Sequence, residues 1–215
     1  GGYLDVAYKI CDEFLTNGDT VVYTKGVSSP MQSLVATNRG CFEKGDLVVL
    51  IDEYTASASE ITSGAIQDWD RGVVIGRRSF GKGLVQRPMN LLDGSQMRLT
   101  IARYYIPSGR CIQKSYKDGV DAYYQDYFKR YQHKEFINAD SISFPDSLKY
   151  KTNKGRTVYG GGGIMPDIFV PMDTTRASDY FINLRSKNIF NNFSLTWAEN
   201  HRDEILKKYP TYEDF

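Results

Sequence analysis

Histidine is nearly absent from this sequence. His133 and His201 are the only two among 215 residues, and both lie in charged segments with a helical pattern. A Ser-His-Asp triad would need one of them at the active site. Neither has a cysteine or carboxylate at metal-ligand spacing, so we expect no metal site. The sequence therefore argues against histidine-based and metal-dependent catalysis.

Cysteine is sparse as well. Cys11, Cys41 and Cys111 are odd in number and lack the spacing of a metal site. Cys11 falls on the apolar face of a predicted helix that begins near Leu4 and carries Leu15 on the same face. We therefore expect Cys11 to be a buried thiol.

An excess of charge and a long hydrophobic run are also missing. The 27 basic and 26 acidic residues nearly cancel to a net charge of +1, which gives no sign of a nucleic-acid-binding surface. No apolar run approaches the length of a membrane-spanning helix, and no signal peptide is visible. The missing signal peptide excludes nothing, because the sequence starts at Gly1 without a methionine. We expect neither a nucleic-acid partner nor an integral membrane segment.

The most informative stretch runs from Leu47 to Gln86. An apolar run at 47–51 is followed by a turn of small residues at 55–59, and a helical pattern extends from Glu60 to about Trp69. A second apolar run follows at 73–75. Short β-branched runs on either side of a helix predict a βαβ unit with parallel strands.

Two side chains that could do chemistry follow these runs. Ser57 comes just after the first run, and Lys82 comes just after the second. Ligands bind beyond the carboxyl ends of parallel strands, so one crossover would bring a hydroxyl and an amine to the same rim. A serine nucleophile with a lysine base has this arrangement. Phe80 and Leu84 could desolvate the amine and favour its neutral form, and the glycines flanking Lys82 would let the backbone approach other groups closely.

Two alternatives use the same residues. Ser57 and Glu60 fit the capping box S-x-x-E, in which Ser57 would only cap the helix. Residues 76–82 match the G-x-x-x-x-G-K of a phosphate-binding loop. The second alternative is disfavoured, because Gly83 stands where a magnesium-binding hydroxyl is needed. The residues that follow, including Pro88, are predicted to form a strand rather than a phosphate-binding helix.

The motifs of this chain, in their order and spacing, resemble those of the tail-specific, or C-terminal processing, peptidases. The resemblance covers about residues 1–113 and 160–170. The segments that carry it are Thr55–Ile61, Gln67–Asp68, Ser79–Gly83 with Gln86, Leu92–Ser95, Thr100–Tyr105, Pro107–Gly109 and Gly163–Asp167.

The resemblance assigns roles to these residues. It implies that Ser57 is the nucleophile, that Lys82 is the general base, and that Gln86 orients the base. It also implies that the loop ending at Gly2 supplies a backbone N–H to an oxyanion hole, together with the amide of Ala58. Asp68 would lie on the same side of the helix as Ser57 but roughly 16 Å farther along, so we expect it to support the site from a distance or to serve the fold.

The resemblance also implies a fold. We expect an α/β core like that of crotonase and Clp protease, with the parallel βαβ unit, a β-hairpin around Asp93-Gly94, and a helical C-terminal segment. The core would span residues 1–172 and contain an insertion at about 114–156 that lacks the family pattern. Residues 173–215 would form a helical extension.

The implied function is that of a serine endopeptidase. Its substrates would be polypeptides with accessible C-termini, it would need no cofactor, and it would work in the periplasm, at the cell envelope or in a comparable extracytoplasmic space. A homo-oligomer is left open. The alternative is a catalytically inactive relative that binds peptides or acts as a scaffold. The upstream strands and PDZ-like domain of the family are not in this sequence, so we expect these 215 residues alone to be a weak enzyme.

Three local expectations concern the connecting segments. Residues 26–45 are predicted to be a polar connector with one apolar patch at Leu34-Val35. The aromatic residues of 116–131 are predicted to form a packed helix face, and Gly160–Gly163 a flexible stretch before a strand at 168–170.

Overall fold

The computed structural model describes residues 1–175 and 178–214. They fall into two compact units, Gly1–Met172 and Asp173–Phe215. The helices of the first unit are α1 (Leu4–Asp12), α2 (Ala58–Asp68) and α3 (Gly119–Gln132). Its strands are β1 (Thr20–Lys25), β2 (Gln32–Val35), β3 (Val48–Ile51), β4 (Val73–Gly76), β5 (Leu84–Asn90), β6 (Gln96–Tyr105), β7 (Lys149–Lys151), β8 (Thr157–Tyr159) and β9 (Ile168–Phe169).

The predicted βαβ unit is confirmed. Strands β3 and β4 are parallel, with Val48 beside Val73, and α2 is the crossover between them. Strand β9 pairs with the other edge of β4 to complete a three-stranded parallel sheet. The β-branched side chains of β3 and β4 suit a pleated surface that is packed on one side. Ile51 and Val74 lie in a buried cluster with Ile164 from the segment before β9.

The second sheet is antiparallel and has the strand order β2-β1-β6-β5. The hairpin of β5 and β6 was predicted from Asp93-Gly94, and its turn is closed by a 2.8 Å hydrogen bond from the amide of Leu91 to the carbonyl of Ser95. The prediction of a connector at 26–45 was wrong in part, because the patch at Leu34-Val35 belongs to strand β2. A four-residue strand gives too short an alternation to be separated from a loop by pattern alone.

A buried cluster joins α1, α2 and the antiparallel sheet. It contains Cys11, Leu15, Val21, Ile61 and Ala65, which are all at most 1% exposed. The predicted burial of Cys11 is confirmed, and burial raises the pKa of its thiol to about 12. Helix α2 thus packs on this cluster, and its N-terminus is held in a fixed place.

The segment 114–156 contains α3 and the small β7-β8 hairpin. The predicted aromatic face of α3 is confirmed in part: Tyr123 is buried and packs on Phe80, whereas Tyr124, Phe128 and Tyr131 are exposed. Tyr127, one turn along from Tyr123, stacks on Tyr54 with 5.7 Å between the ring centroids. Charged side chains of α3 also bind the rest of the first unit, as described below.

Gly160–Gly163 is packed rather than flexible. The amides of Gly161 and Gly163 donate to the carbonyls of Cys111 and Ile112 at 2.7 and 2.9 Å. A Cβ on Gly163 would lie 2.6 Å from the carbonyl oxygen of Ser79. The glycines are therefore needed for close backbone approach.

The second unit is helical, as expected for the C-terminal segment. Its helices are α4 (Asp179–Ser186), α5 (Ile189–Asn200) and α6 (Arg202–Lys208). Ser178 caps α4 by accepting a 3.2 Å hydrogen bond from the amide of Phe181. Across the described ranges of both units, no helix is long and apolar enough to cross a membrane.

Candidate active site

Ser57 lies on a sharp turn between β3 and α2. It is the N-cap residue of α2 and has φ 60° and ψ −120°, a conformation that residues other than glycine rarely adopt. The carboxylate of Asp52 stabilises the preceding turn by accepting hydrogen bonds from the amides of Tyr54 and Thr55 at 3.0 and 2.9 Å. Backbone strain of this kind persists only where surrounding contacts hold it. The turn therefore presents the half-buried Ser57 at the end of the parallel sheet.

Residues 77–83, which connect β4 to β5 and carry Lys82, are called the lysine loop below. Glu60 makes the contact that holds the Ser57 turn to this loop. Its Oε2 accepts hydrogen bonds from the amides of Ser57 and Lys82, both at 2.8 Å. Its Oε1 accepts the amide of Gly81 at 2.7 Å and the hydroxyl of Ser79 at 2.5 Å. A single carboxylate thus binds the amide of the candidate nucleophile and the amide of the candidate base.

Glu60 is completely buried. Burial raises the pKa of its carboxyl group, and the hydrogen bonds from Ser79, Lys82, Gly81 and Ser57 act in the opposite direction. All four partners donate hydrogen bonds to Glu60. Both of its oxygens therefore act only as acceptors, as they do in an ionised carboxylate. The sequence predicted only the interaction of Glu60 with the Ser57 amide, from the capping box.

The lysine loop has further backbone support on both sides of Lys82. The amide of Phe80 donates to Thr55 at 2.9 Å, and the carbonyl of Gly81 accepts the amide of Lys114 at 3.0 Å. The amide of Gly83 donates to the side chain of Gln113 at 2.8 Å. A Cβ on Gly83 would meet the side chain of Ile112 at 2.8 Å. The predicted close approach of the glycine-flanked backbone is therefore confirmed.

The side chains of Lys82 and Gln86 are placed differently. Lys82 is half-buried, whereas Gln86 is exposed on β5 beside a β-bulge. Gln86 lines an open cleft of about 790 Å³ together with Lys25 and Arg103. In the described part of the chain, neither the Lys82 amine nor the Gln86 carboxamide forms a hydrogen bond. Catalytic hydrogen bonds are often long in structures without substrate, so the loop geometry is the more informative observation.

Gly2 lies next to the start of α2. A Cβ on Gly2 would be 3.6 Å from the Cβ of Ala58, and Gly2 has φ +150°, which favours glycine. The neighbouring Gly1 donates from its amino group to the Ser59 hydroxyl at 3.3 Å. The two residues proposed as oxyanion donors from the sequence are therefore close in space.

Asp68 lies at the far end of α2 from Ser57. It is buried and forms an ion pair with the fully buried Arg110, with 2.8 Å between Oδ1 and Nη2. Its Oδ2 accepts the amide of Ser108 at 2.9 Å. Of the two roles expected for Asp68, these contacts fit the structural one, because they join α2 to the turn after β6. Helical spacing placed Asp68 on a face of α2 but could not identify its partner.

Charged residues near the lysine loop were missed by the sequence analysis. Lys114 is 8% exposed, and its Nζ lies 4.0 Å from the ring centroid of Phe80 and 3.1 Å from Asp126. Burial lowers the pKa of Lys114, and Asp126 partly restores it. Arg130 and Glu135 also reach this loop. Both residues are distant from Lys82 in the sequence, so no local pattern could connect them with it.

Among the described residues, no group of three or more His, Cys, Asp or Glu side chains could hold a metal ion.

Comparison with known proteins identifies the family. Residues 1–123 match Peptidase family S41, which is more than half of the chain, and the chain belongs to that family. Residues 180–215 match a separate family of unknown function. The resemblance to C-terminal processing peptidases is thereby confirmed.

Named relatives match the same part of the chain. The carboxy-terminal-processing protease of Bartonella bacilliformis is 42% identical over 114 residues, which are 53% of this chain and 26% of that protein. The chloroplastic carboxyl-terminal-processing peptidase 1 of Arabidopsis thaliana is 37% identical over 108 residues, 50% of this chain and 22% of that protein. The chain thus spans about a quarter of the length of these relatives.

A solved structure has a similar fold. The photosystem II D1 C-terminal processing protease aligns with a TM-score of 0.54 and 24% identity, over 80% of this chain and 32% of that one. This similarity supports the mixed α/β fold expected from the sequence.

Proposed function

We propose that the protein is a serine endopeptidase that cleaves polypeptides near their C-termini with a Ser57–Lys82 dyad. The observation that carries the proposal is the hydrogen bonding of Glu60, which holds the amides of Ser57 and Lys82 on one carboxylate oxygen. This contact fixes the serine turn relative to the lysine loop. Membership of Peptidase family S41 supports the same reaction class.

The proposed mechanism gives each of these residues a role. The Ser57 hydroxyl attacks the scissile carbonyl, and the neutral amine of Lys82 accepts its proton and later returns one to the leaving amine. The amides of Gly2 and Ala58 stabilise the tetrahedral oxyanion. Gln86 orients the lysine once substrate fills the cleft that it lines. Water then hydrolyses the acyl-enzyme, and no cofactor takes part.

The cellular setting is part of the proposal. We place the enzyme in the periplasm, at the cell envelope or in a comparable extracytoplasmic compartment, as for the family it resembles. Polypeptides with accessible C-termini are its substrates.

Labelling of the full-length protein with a fluorophosphonate tests the proposal. The wild type should be labelled at Ser57, and Ser57→Ala should abolish labelling. Lys82→Arg should also abolish it while the protein stays folded, because arginine is not deprotonated at working pH. Matched controls are Ser33→Ala and Lys44→Arg, which alter exposed residues outside the site. A folded wild type that is not labelled, but binds peptides, would instead support the scaffold alternative.

A further inference from the structure

The lysine loop receives a buried arginine from helix α3. Arg130 lies beyond the part of the chain that matches Peptidase family S41, yet it is only 4% exposed. Its Nη1 donates to the carbonyl of Ser79 at 3.1 Å, and its Nη2 donates to the carbonyl of Arg78 at 2.6 Å. One guanidinium therefore fixes two successive carbonyl groups at the start of the loop that carries Lys82.

The same loop is held from its other side by Glu60. Ser79, whose carbonyl is bound by Arg130, donates its hydroxyl to Glu60 at 2.5 Å and accepts the amide of Ile164 at 2.6 Å. Glu60 then accepts the amides of Gly81 and Lys82. A continuous series of hydrogen bonds thus runs from Arg130 through Ser79 and Glu60 to the backbone of Lys82.

Arg130 shares the carboxylate of Glu135 with Arg78. Glu135 accepts a hydrogen bond from Nε of Arg130 at 2.7 Å. It also accepts hydrogen bonds from Nε and Nη2 of Arg78, both at 2.7 Å. Arg78 reaches on to the carbonyl of Gly162 at 3.0 Å. Removing such charges from water is costly, and apolar residues of similar size often give equal or better stability. A planar guanidinium fork, however, fixes the geometry of its acceptors as an apolar side chain cannot.

We propose that Arg130 is a positioning residue for the catalytic base: it fixes the backbone at 78–79 so that Lys82 is held at the distance from Ser57 that proton transfer requires. The inference rests on the proposed Ser57–Lys82 dyad. It gives the segment 114–156 a role in catalysis that does not depend on contact with substrate. Misplacement of a reacting group by about 1 Å can cost on the order of 10²-fold in rate.

The test compares Arg130→Gln with Lys129→Gln in the full-length protein. Lys129 is the neighbouring exposed cation on α3, so its substitution removes the same charge without touching the loop. The first readout is the rate constant for fluorophosphonate labelling as a function of pH, at temperatures where circular dichroism shows each protein folded. The second is amide hydrogen exchange of the peptide that contains residues 79–83, which does not depend on activity.

Arg130→Gln should lower the labelling rate by on the order of 10-fold to 10²-fold and change its pH midpoint, whereas Lys129→Gln should do neither. Exchange of the 79–83 peptide should become about 10-fold faster in Arg130→Gln only. If Arg130→Gln does not fold, Arg130→Lys keeps the charge but not the fork, and it should change both readouts less but in the same direction.

Labelling and exchange that both match the wild type would overturn the inference. Slower labelling with an unchanged pH midpoint and unchanged exchange would overturn it too, because the loop would not have moved. If the wild type is not labelled, the proposed dyad fails. Faster exchange in Arg130→Gln would then still support the positioning of the loop.

Discussion

Replacing Glu60 with glutamine tests the contact on which the site depends. Its two carboxylate oxygens accept four hydrogen bonds, from Ser57, Ser79, Gly81 and Lys82. A glutamine side chain offers one oxygen and one NH₂ group. If the NH₂ group replaces Oε2, it faces the amides of Ser57 and Lys82, and both lose their acceptor. If it replaces Oε1, the Ser79 hydroxyl can turn to accept from it, but the Gly81 amide has no acceptor.

The second orientation is the less costly, and it sets the expected magnitude. A buried donor left without a partner costs about 1–3 kcal/mol, and each hydrogen bond that loses its charged acceptor weakens by about 1 kcal/mol. Removing the buried charge recovers part of this, because a neutral amide is less costly to desolvate. We therefore expect Glu60→Gln to lower the free energy of unfolding by about 2–4 kcal/mol.

Urea unfolding followed by intrinsic fluorescence measures this change, and Glu199→Gln is the matched control. Glu199 lies on the exposed surface of α5, so its substitution should change the free energy of unfolding by no more than about 0.5 kcal/mol. At temperatures where Glu60→Gln is folded, labelling of Ser57 should be slower by on the order of 10²-fold. Stability and labelling equal to the control would refute the argument that Glu60 joins the two loops.

Three other substitutions have defined outcomes. Gln86→Ala should lower kcat more than it changes KM in peptide cleavage, because in the proposed mechanism Gln86 positions the base rather than the substrate; an intact kcat would show that the dyad works without it. Gly2→Ala should lower kcat by on the order of 10²-fold in the same assay, since its positive φ would be strained and the oxyanion amide displaced; full kcat would place that donor elsewhere. Burial lowers the pKa of Lys114, so between the lowered pKa and about 10.4 the folded lysine binds fewer protons than the unfolded lysine. Unfolding therefore takes up protons in this range, and stability rises with pH. Urea unfolding at several alkaline pH values should show this rise in the wild type and less of it in Lys114→Met, and equal slopes would contradict it.

Local patterns were enough to predict the elements that carry the site. The β-branched runs of β3 and β4 and the small residues before α2 predicted the parallel crossover, because each element has its own period and boundary. Asp93-Gly94 predicted the hairpin for a similar reason. From these elements alone, Ser57 and Lys82 could be placed at the same end of one sheet.

Contacts between distant residues could not be predicted in this way. Arg130 and Glu135 look like members of an ordinary charged segment, and only the fold brings them to the carbonyl of Ser79. Gly163 was expected to be flexible because glycine permits many conformations, but its backbone amide is hydrogen-bonded to Ile112 and a side chain there would collide with Ser79. Helical spacing correctly placed Asp68 far along α2 from Ser57, but it could not identify Arg110 as the partner of its carboxylate.

The capping and catalytic interpretations of Ser57 are not exclusive. A capping box on a protein surface contributes about 1 kcal/mol and leaves its carboxylate in water. Glu60 is instead 0% exposed, and burying a carboxylate costs several kcal/mol unless its oxygens are fully used. Glu60 accepts four hydrogen bonds, and only the one from the Ser57 amide belongs to the capping box. The other three come from Ser79, Gly81 and Lys82. Capping therefore accounts for the position of Glu60 in the sequence, while the attachment of the lysine loop accounts for its burial.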